Sequence, residues 1–300
     1  MTDAGSTPIE VLIIGGGPAG MSAALVLARS RRQVLVVDAG RPRNAATAAV
    51  HGFLTRDGIA PAELRLRARA ELAAYPDAHL RDLQVVDVSR SGDGFRTRLD
   101  DGSSVPSRSV ILATGTRDRL PDIPGLQDLY GKGIYPCPYC DAWEYRDQAV
   151  AVIGERASGF ALKLRRWSRD TIWFSQNASA PDESRARLLR ERGIRVVGAF
   201  ITRVEATPAG LALILADGEV IQRQAAFLEP EREPHPAFIT ALGCELEGAC
   251  IACDSRGATT VPGVFIAGDL RCSAQFAIVA AAEGALAAVA ADEYLHQADL

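Results

Sequence analysis

Ile9-Glu10-Val11-Leu12-Ile13-Ile14-Gly15-Gly16-Gly17-Pro18-Ala19-Gly20 decides the fold of this 300-residue chain. The apolar run suits a buried parallel strand, and the glycines after it suit a tight turn. The pattern then predicts a helix to about Arg29 and a second strand at Val34–Val37 that ends on Asp38. That completes a strand–helix–strand unit. Gly15 and Gly17 permit the turn and let a pyrophosphate approach the helix N-terminus, while Gly20 lets helix pack on strand. Asp38 stands where a carboxylate accepts hydrogen bonds from a ribose.

Outward from this unit, a second one begins at Ala149–Ile153, turns through Gly154-Glu155-Arg156-Ala157-Ser158-Gly159 and returns at Thr171–Ser175. Between the two lies an apolar strand, Val110–Gly115, that ends in Ala113-Thr114-Gly115. A strand at Val264–Ala267 leads into Gly268-Asp269 and a long helix from about Ala274 to Leu295. Proline-rich stretches at Arg119–Gly125 and Glu229–Pro236 read as paired linkers, where the chain leaves one domain and later re-enters it. Strands alternating with helices place the chain in the α/β class.

Composition narrows the function. With 48% hydrophobic and 23% charged residues the chain has ample material for cores and no mark of global disorder. Its 33 basic and 37 acidic residues leave a net charge of −4, which argues against a general nucleic-acid surface. The polar start, Met1–Pro8, lacks a secretion signal, and the apolar run Phe276–Ala291 contains Glu283 and is short for a bilayer. The expectation is a soluble cytoplasmic protein that binds no membrane. In that compartment a disulfide among the six cysteines is catalytic rather than structural.

Cys137-Pro138-Tyr139-Cys140, followed by Asp141, is the candidate reactive centre. Two thiols at this spacing can close a small disulfide ring, and the adjacent carboxylate can move protons for them. Pro138 suits entry to a helix, whose N-terminus lowers a thiol pKa. Zinc sites share the spacing, and on paper Cys250 and Cys253 supply two further ligands. The flanking nucleotide folds favour redox chemistry, and no metal is assigned. Cys250 and Cys253 fall in a short strand, where residues three apart point to opposite faces, so no bond is expected between them. Cys272 reads as an idle thiol, and Cys244 has no evident partner.

With these residues in view, the chain resembles the low-molecular-weight thioredoxin reductases over nearly its full length. The motifs that carry the likeness are GGGPAG at 15–20, ATG at 113–115, CPYCD at 137–141, the turn at 154–159, and Val261-Pro262-Gly263 running into Gly268-Asp269. The resemblance implies two Rossmann-like, three-layer nucleotide-binding domains of FAD/NAD(P) type, the second inserted into the first. An FAD domain would comprise 1–118 plus 238–300, and an NAD(P)-binding-like domain with the CxxC would comprise 119–237. It implies a homodimer, with Cys140 facing the flavin, Cys137 exchanging with substrate and Asp141 as acid–base group. Asp269 would bond the ribityl chain, and the helix beginning near Gln275-Phe276 would direct its positive end at the isoalloxazine. The expected cofactor residues are Gly15, Gly17, Pro18, Ala19, Gly20, Asp38, Arg43, Asn44, Val85, Ala113, Thr114, Gly115, Gly268, Asp269, Gln275 and Phe276. His51, near the expected flavin-facing loop, is a candidate base.

The chain departs from the family where NADPH should bind. Arg156 replaces the second fingerprint glycine, Ser175-Gln176-Asn177 replaces a basic run, and Glu231 stands where a glycine is expected before a later proline. NADPH is therefore doubtful. The resemblance then favours an FAD-dependent dithiol oxidase that forms a disulfide in a small-molecule or protein substrate with O2 as acceptor. Such oxidases act on sulfur-containing natural products, and their CPYC segments resemble this one through Trp143-Glu144, although they often carry His where Asp141 stands. An NADPH-dependent reductase of a thioredoxin-like protein is the alternative, and a flavoprotein sensor or partner fed by another redox protein is a second.

Overall fold

The computed structural model describes residues 7–176, 182–233, 237–248 and 250–300. Asn177, Pro234 and Pro236, which figure in the sequence motifs above, lie outside the described residues. The chain divides into two compact units, 1–45 with 52–117 and 233–300, and 46–51 with 118–232. Residues 46–51, expected in the first domain, belong to the second unit. Gly131 there approaches so closely that a Cβ would stand 2.5 Å from the Ala46 carbonyl.

In the first unit β1 (Ile9–Ile14), α1 (Pro18–Arg29), β2 (Val34–Val37), α2 (Pro61–Leu72) and β3 (Ala78–Arg81) are followed by β4 (Val85–Ser91), β5 (Gly94–Leu99) and β6 (Ser104–Leu112). They form a sheet in the order β3-β2-β1-β6-β5-β4, and a late strand, Val264–Ile266, joins β6 in parallel. The register aligns Ile14 with Val37 and Leu112, and Leu112 with Ile266. Gly15, Asp38, Ala113 and Gly268 therefore all leave the sheet at or just beyond its carboxyl edge, where ligands of open α/β sheets bind.

Alternation along β1 sorts the core. Val11 and Ile13 pack with α1 and the C-terminal helix, Ala277–Ala298, whereas Leu12 and Ile14 pack with Phe95, Leu99 and Phe238 on the other face. Full burial of each such side chain stabilises by roughly 1.5–3 kcal/mol.

The second unit has a five-stranded parallel sheet, ordered Arg195–Val197, Thr171–Phe174, Val150–Ile153, Ala225–Leu228 and Ile134–Tyr135. A three-stranded antiparallel sheet spans Ile201–Thr207, Gly210–Leu215 and Val220–Arg223. The two linker segments pair with each other, Glu231–Arg232 running antiparallel to Asp118–Arg119. Among the described residues no helix is long and apolar enough to cross a membrane.

Candidate functional site

The first unit holds a nucleotide cradle. Gly15 has φ +107°, and a Cβ there would stand 2.3 Å from the Ala113 carbonyl oxygen. A Cβ on Gly20 would strike the Gly15 carbonyl, so these two glycines pack turn, strand and helix together. Gly17 differs. It caps α1 in an extended conformation without a side-chain hydrogen bond, and a Cβ there would meet nothing within 4 Å. Pro18 opens the helix, Ala19 and Gly20 are buried behind it, and the first turn contains no acidic residue. The N–H groups that open a helix have no partner within it, which suits a pyrophosphate.

Other polar atoms of this unit await a partner. Thr114 Oγ1, Thr116 Oγ1 and Gln275 Nε2 are buried without one. Arg43 Nη1 donates to Asp269 Oδ2 at 3.1 Å and to Gln275 Oε1 at 2.7 Å, so three residues expected at the cofactor form one cluster. Gly268 N donates to the buried carboxylate of Glu283 at 3.0 Å, which fixes the turn before Asp269. Phe276 caps the C-terminal helix, and Asn44 follows Arg43 in a short 3-10 turn. Gly115 (φ +64°) ends the segment after Ala113.

Asp38 is buried and paired with Arg65 and, at 3.4 Å, with Arg69, both on α2. A cavity of about 400 Å³ opens beside it, lined by Gly40, Arg65, Leu66, Arg69 and Asp82. A ribose would share Asp38 with the two arginines. Val85 is buried in the core with its side chain, leaving only its main chain to a cofactor. These features fit FAD: a glycine at a helix N-terminus with no heavy atom near its missing Cβ, unsatisfied hydroxyls and amide, and a cavity beside a carboxylate.

The second unit carries the candidate reactive pair. The edge strand Ile134–Tyr135 delivers the chain to Cys137, which caps a short helix, Pro138–Asp141. Cys137 and Cys140 are joined in a disulfide, and Cys140 N donates to Cys137 Sγ at 3.2 Å. Burial pushes the Asp141 carboxyl up to about 6, with His51 opposing and Glu144 adding to the shift, and a Thr47 hydrogen bond opposing it. His51 Nε2 lies 3.6 Å from Glu144 Oε1. Burial and a hydrogen bond to Tyr145 raise the Tyr135 phenol well above its ordinary range, so it stays protonated. The candidates Asp141 and His51 thus converge, joined by Thr47 and Glu144, which the sequence did not single out for chemistry.

The second nucleotide turn is altered in ways the sequence showed only in part. Arg156 is exposed, and the Gly154 carbonyl accepts from Trp173 Nε1 at 2.7 Å. Ser175 and Gln176 are buried, and Gln176 Oε1 accepts from Ile201 N at 3.2 Å. Glu231 sits in the linker ribbon, 3.6 Å from Arg119.

Cys272 is not idle: it is disulfide-bonded to Cys250, with Cα atoms 5.7 Å apart. The pairing joins segments 22 residues apart, which no local spacing announces.

The pyridine nucleotide-disulphide oxidoreductase family matches residues 9–284. The chain belongs to that family. It is 34% identical over 284 residues to the thioredoxin reductase tcpT of Claviceps purpurea, covering 88% of this chain and 87% of that one. The solved structure of HlmI superposes with a TM-score of 0.93 at 39% identity, covering 97% of this chain and 94% of that one. The putative thioredoxin reductase TrxB of Bacillus anthracis also superposes at 0.93, with 31% identity, 97% of this chain and all of that one covered (100%). The chain spans only 37% of a probable thioredoxin reductase of Arthroderma benhamiae, to which it is 40% identical over 151 residues (48% of this chain). The protein is thus a thioredoxin-reductase-like, FAD-dependent thiol–disulfide oxidoreductase.

Proposed function

We propose that the protein is a dithiol oxidase, closing a disulfide in a small dithiol or a protein dithiol with O2 as terminal acceptor, and that NADPH is not its electron source. The observation that carries this reading is Gln176. Where relatives of this kind need basic side chains for a 2′-phosphate, the Gln176 amide turns inward to the Ile201 backbone and Ser175 is buried with it. Exposed Arg156 in the preceding turn supports the same reading, since its side chain stands where a pyrophosphate needs bare backbone.

A substrate thiolate attacks Cys137 Sγ, the Cys137–Cys140 bond breaks, and a mixed disulfide forms. The second substrate thiolate then attacks its own mixed-disulfide sulfur, and Cys137 leaves as a thiolate. The Cys140 N–H that points at Cys137 Sγ stabilises that leaving group, and a better-stabilised thiolate leaves faster. Asp141, with His51 and Glu144 beside it, accepts the protons the substrate gives up. FAD, when bound, supplies the two-electron acceptor that restores the pair. Gly15, Gly17, Gly20, Asp38, Ala113–Gly115, Arg43, Asp269 and Gln275 would hold it. A homodimer in the cytoplasm belongs to the same reading.

The test is aerobic turnover of dithiothreitol with peroxide measured, beside calorimetric titration with NADPH. Peroxide equal to dithiol consumed, with no heat of NADPH binding, is the expected result. Micromolar NADPH binding with no dithiol-dependent peroxide overturns the proposal.

A further inference from the structure

We propose that Cys250–Cys272 is a second exchangeable disulfide, a site where thiols act on the first unit and so set how firmly the turn carrying Asp269 is held. The inference does not depend on the direction of electron flow at Cys137–Cys140. It does use the assignment of the Arg43–Asp269–Gln275 cluster to the flavin cradle.

The turn Gly268–Arg271 is tied down from three sides. On one, the Glu283 carboxylate of the C-terminal helix accepts from Gly268 N and lies 4.0 Å from Arg271 Nε. On another, Arg271 Nη2 donates to the carbonyls of Asp254 and Ser255, at 3.2 and 3.1 Å. The third tie is covalent, from Cys272 to Cys250 on the hairpin of Leu246–Glu247 and Cys250–Ile251.

Cys272 pays for that tie in its backbone, with φ +56° and ψ 22° in the left-handed region that a residue with a Cβ seldom enters. A bond that closes the turn also holds this conformation. Once the bond opens, the backbone at 272 gains reason to relax toward φ below zero. Asp269 and Gln275, each three residues away, are the groups that Arg43 gathers.

The pair is placed for exchange. Cys250 and Cys272 are both partly exposed, and a third thiol, Cys253, bonds the side chain of Arg271, the neighbour of Cys272. Attack by an external thiolate breaks the Cys250–Cys272 bond and forms a mixed disulfide. A second thiol then releases the external disulfide, two electrons and two protons having passed to the protein as two cysteine thiols. The reverse reaction, with a disulfide of the same class as oxidant, closes the pair. The ligand class is therefore a low-molecular-weight or protein thiol–disulfide couple.

The experiment uses the flavin-loaded Cys137→Ser/Cys140→Ser protein, so that the first pair cannot contribute. It is equilibrated in glutathione buffers from oxidising to reducing, quenched in acid, alkylated and mapped by peptide mass. FAD release and amide exchange over residues 268–276 are followed in parallel. Expected is a Cys250–Cys272 cross-link in oxidising buffer that opens while the protein stays folded. FAD release should then be about fivefold faster, with faster exchange in the turn. Cys272→Ser should match the reduced protein, whereas Cys272→Gly, which accepts positive φ freely, should retain FAD more firmly than Cys272→Ser. The proposal is overturned if both cysteines are alkylated in every buffer, or if the bond opens only on unfolding. It is equally overturned if it opens with FAD release and turn exchange unchanged. None of these outcomes bears on which way electrons run at Cys137–Cys140.

Discussion

His51 Nε2 lies 3.6 Å from Glu144 Oε1, and both side chains act on the same carboxyl, that of Asp141. Under the proposed function these neighbours, with their opposed pulls, handle protons for the Cys137–Cys140 pair. The trio comes from two places in the chain: His51 precedes the edge strand Ile134–Tyr135 by some eighty residues, and Glu144 follows Cys140 by four.

Breaking this trio should slow thiol exchange without unfolding the protein, because Glu144 is exposed. We expect His51→Asn to lower kcat of dithiol oxidation about a hundredfold and Glu144→Gln about tenfold, with the double variant no worse than His51→Asn alone. Steady-state peroxide formation measures all three. Fully additive losses would show that the two residues act separately.

Asp141 gives a pH prediction with a fixed sign. Its carboxyl titrates at about 6 in the folded protein, above the ordinary carboxylate value near 4. Between those values the native state holds a proton that the unfolded chain has released, so this group lowers stability as pH rises from about 4 to about 6. Asp141→Asn should therefore stabilise the protein above pH 6 by on the order of 1–3 kcal/mol and change nothing below about pH 4. Urea midpoints at the two pH extremes decide this. In the same variant the rise of kcat/KM through about pH 6 should be absent.

The two kinds of fingerprint glycine should separate cleanly. A Cβ at Gly20 would collide with the Gly15 carbonyl, so Gly20→Ala should cost roughly 3 kcal/mol or more and reduce soluble yield. Gly17 has open space and an ordinary φ of −75°, so Gly17→Ala should fold normally and lose at least about tenfold in FAD affinity. Thermal melts and flavin fluorescence distinguish the two.

Much of the β1–turn–α1 segment was legible because every local signal agrees there: apolar strand, glycine turn, Pro18 at the helix start, and a carboxylate after β2. The pairings of Arg65 and Arg69 with Asp38 were not. Helix α2 mixes charged and apolar residues without a clear stripe, so nothing local aims two arginines at a carboxylate 27 and 31 residues away. The Cys250–Cys272 bond was missed for a related reason. Strand alternation speaks only to neighbours such as Cys250 and Cys253, while the true partner arrives through the later turn at Cys272. Gln176 was read as a missing basic residue, and only the fold shows that its amide has a task of its own at Ile201.

Arg43 should matter to the cofactor and not to thiol exchange. Arg43→Ala removes the donor shared by Asp269 and Gln275, and we expect FAD to bind about tenfold more weakly with KM for the dithiol unchanged. Titration of apoprotein with FAD and kinetics at saturating FAD read these separately.

Electron entry is decided by anaerobic stopped-flow mixing of the flavin-loaded protein, separately with NADPH and with dithiothreitol, followed at the flavin absorbance band. A dithiol oxidase should bleach rapidly with the dithiol, lose that bleaching in Cys140→Ser, and show no bleaching by NADPH within the turnover time. Rapid bleaching by NADPH would contradict that function.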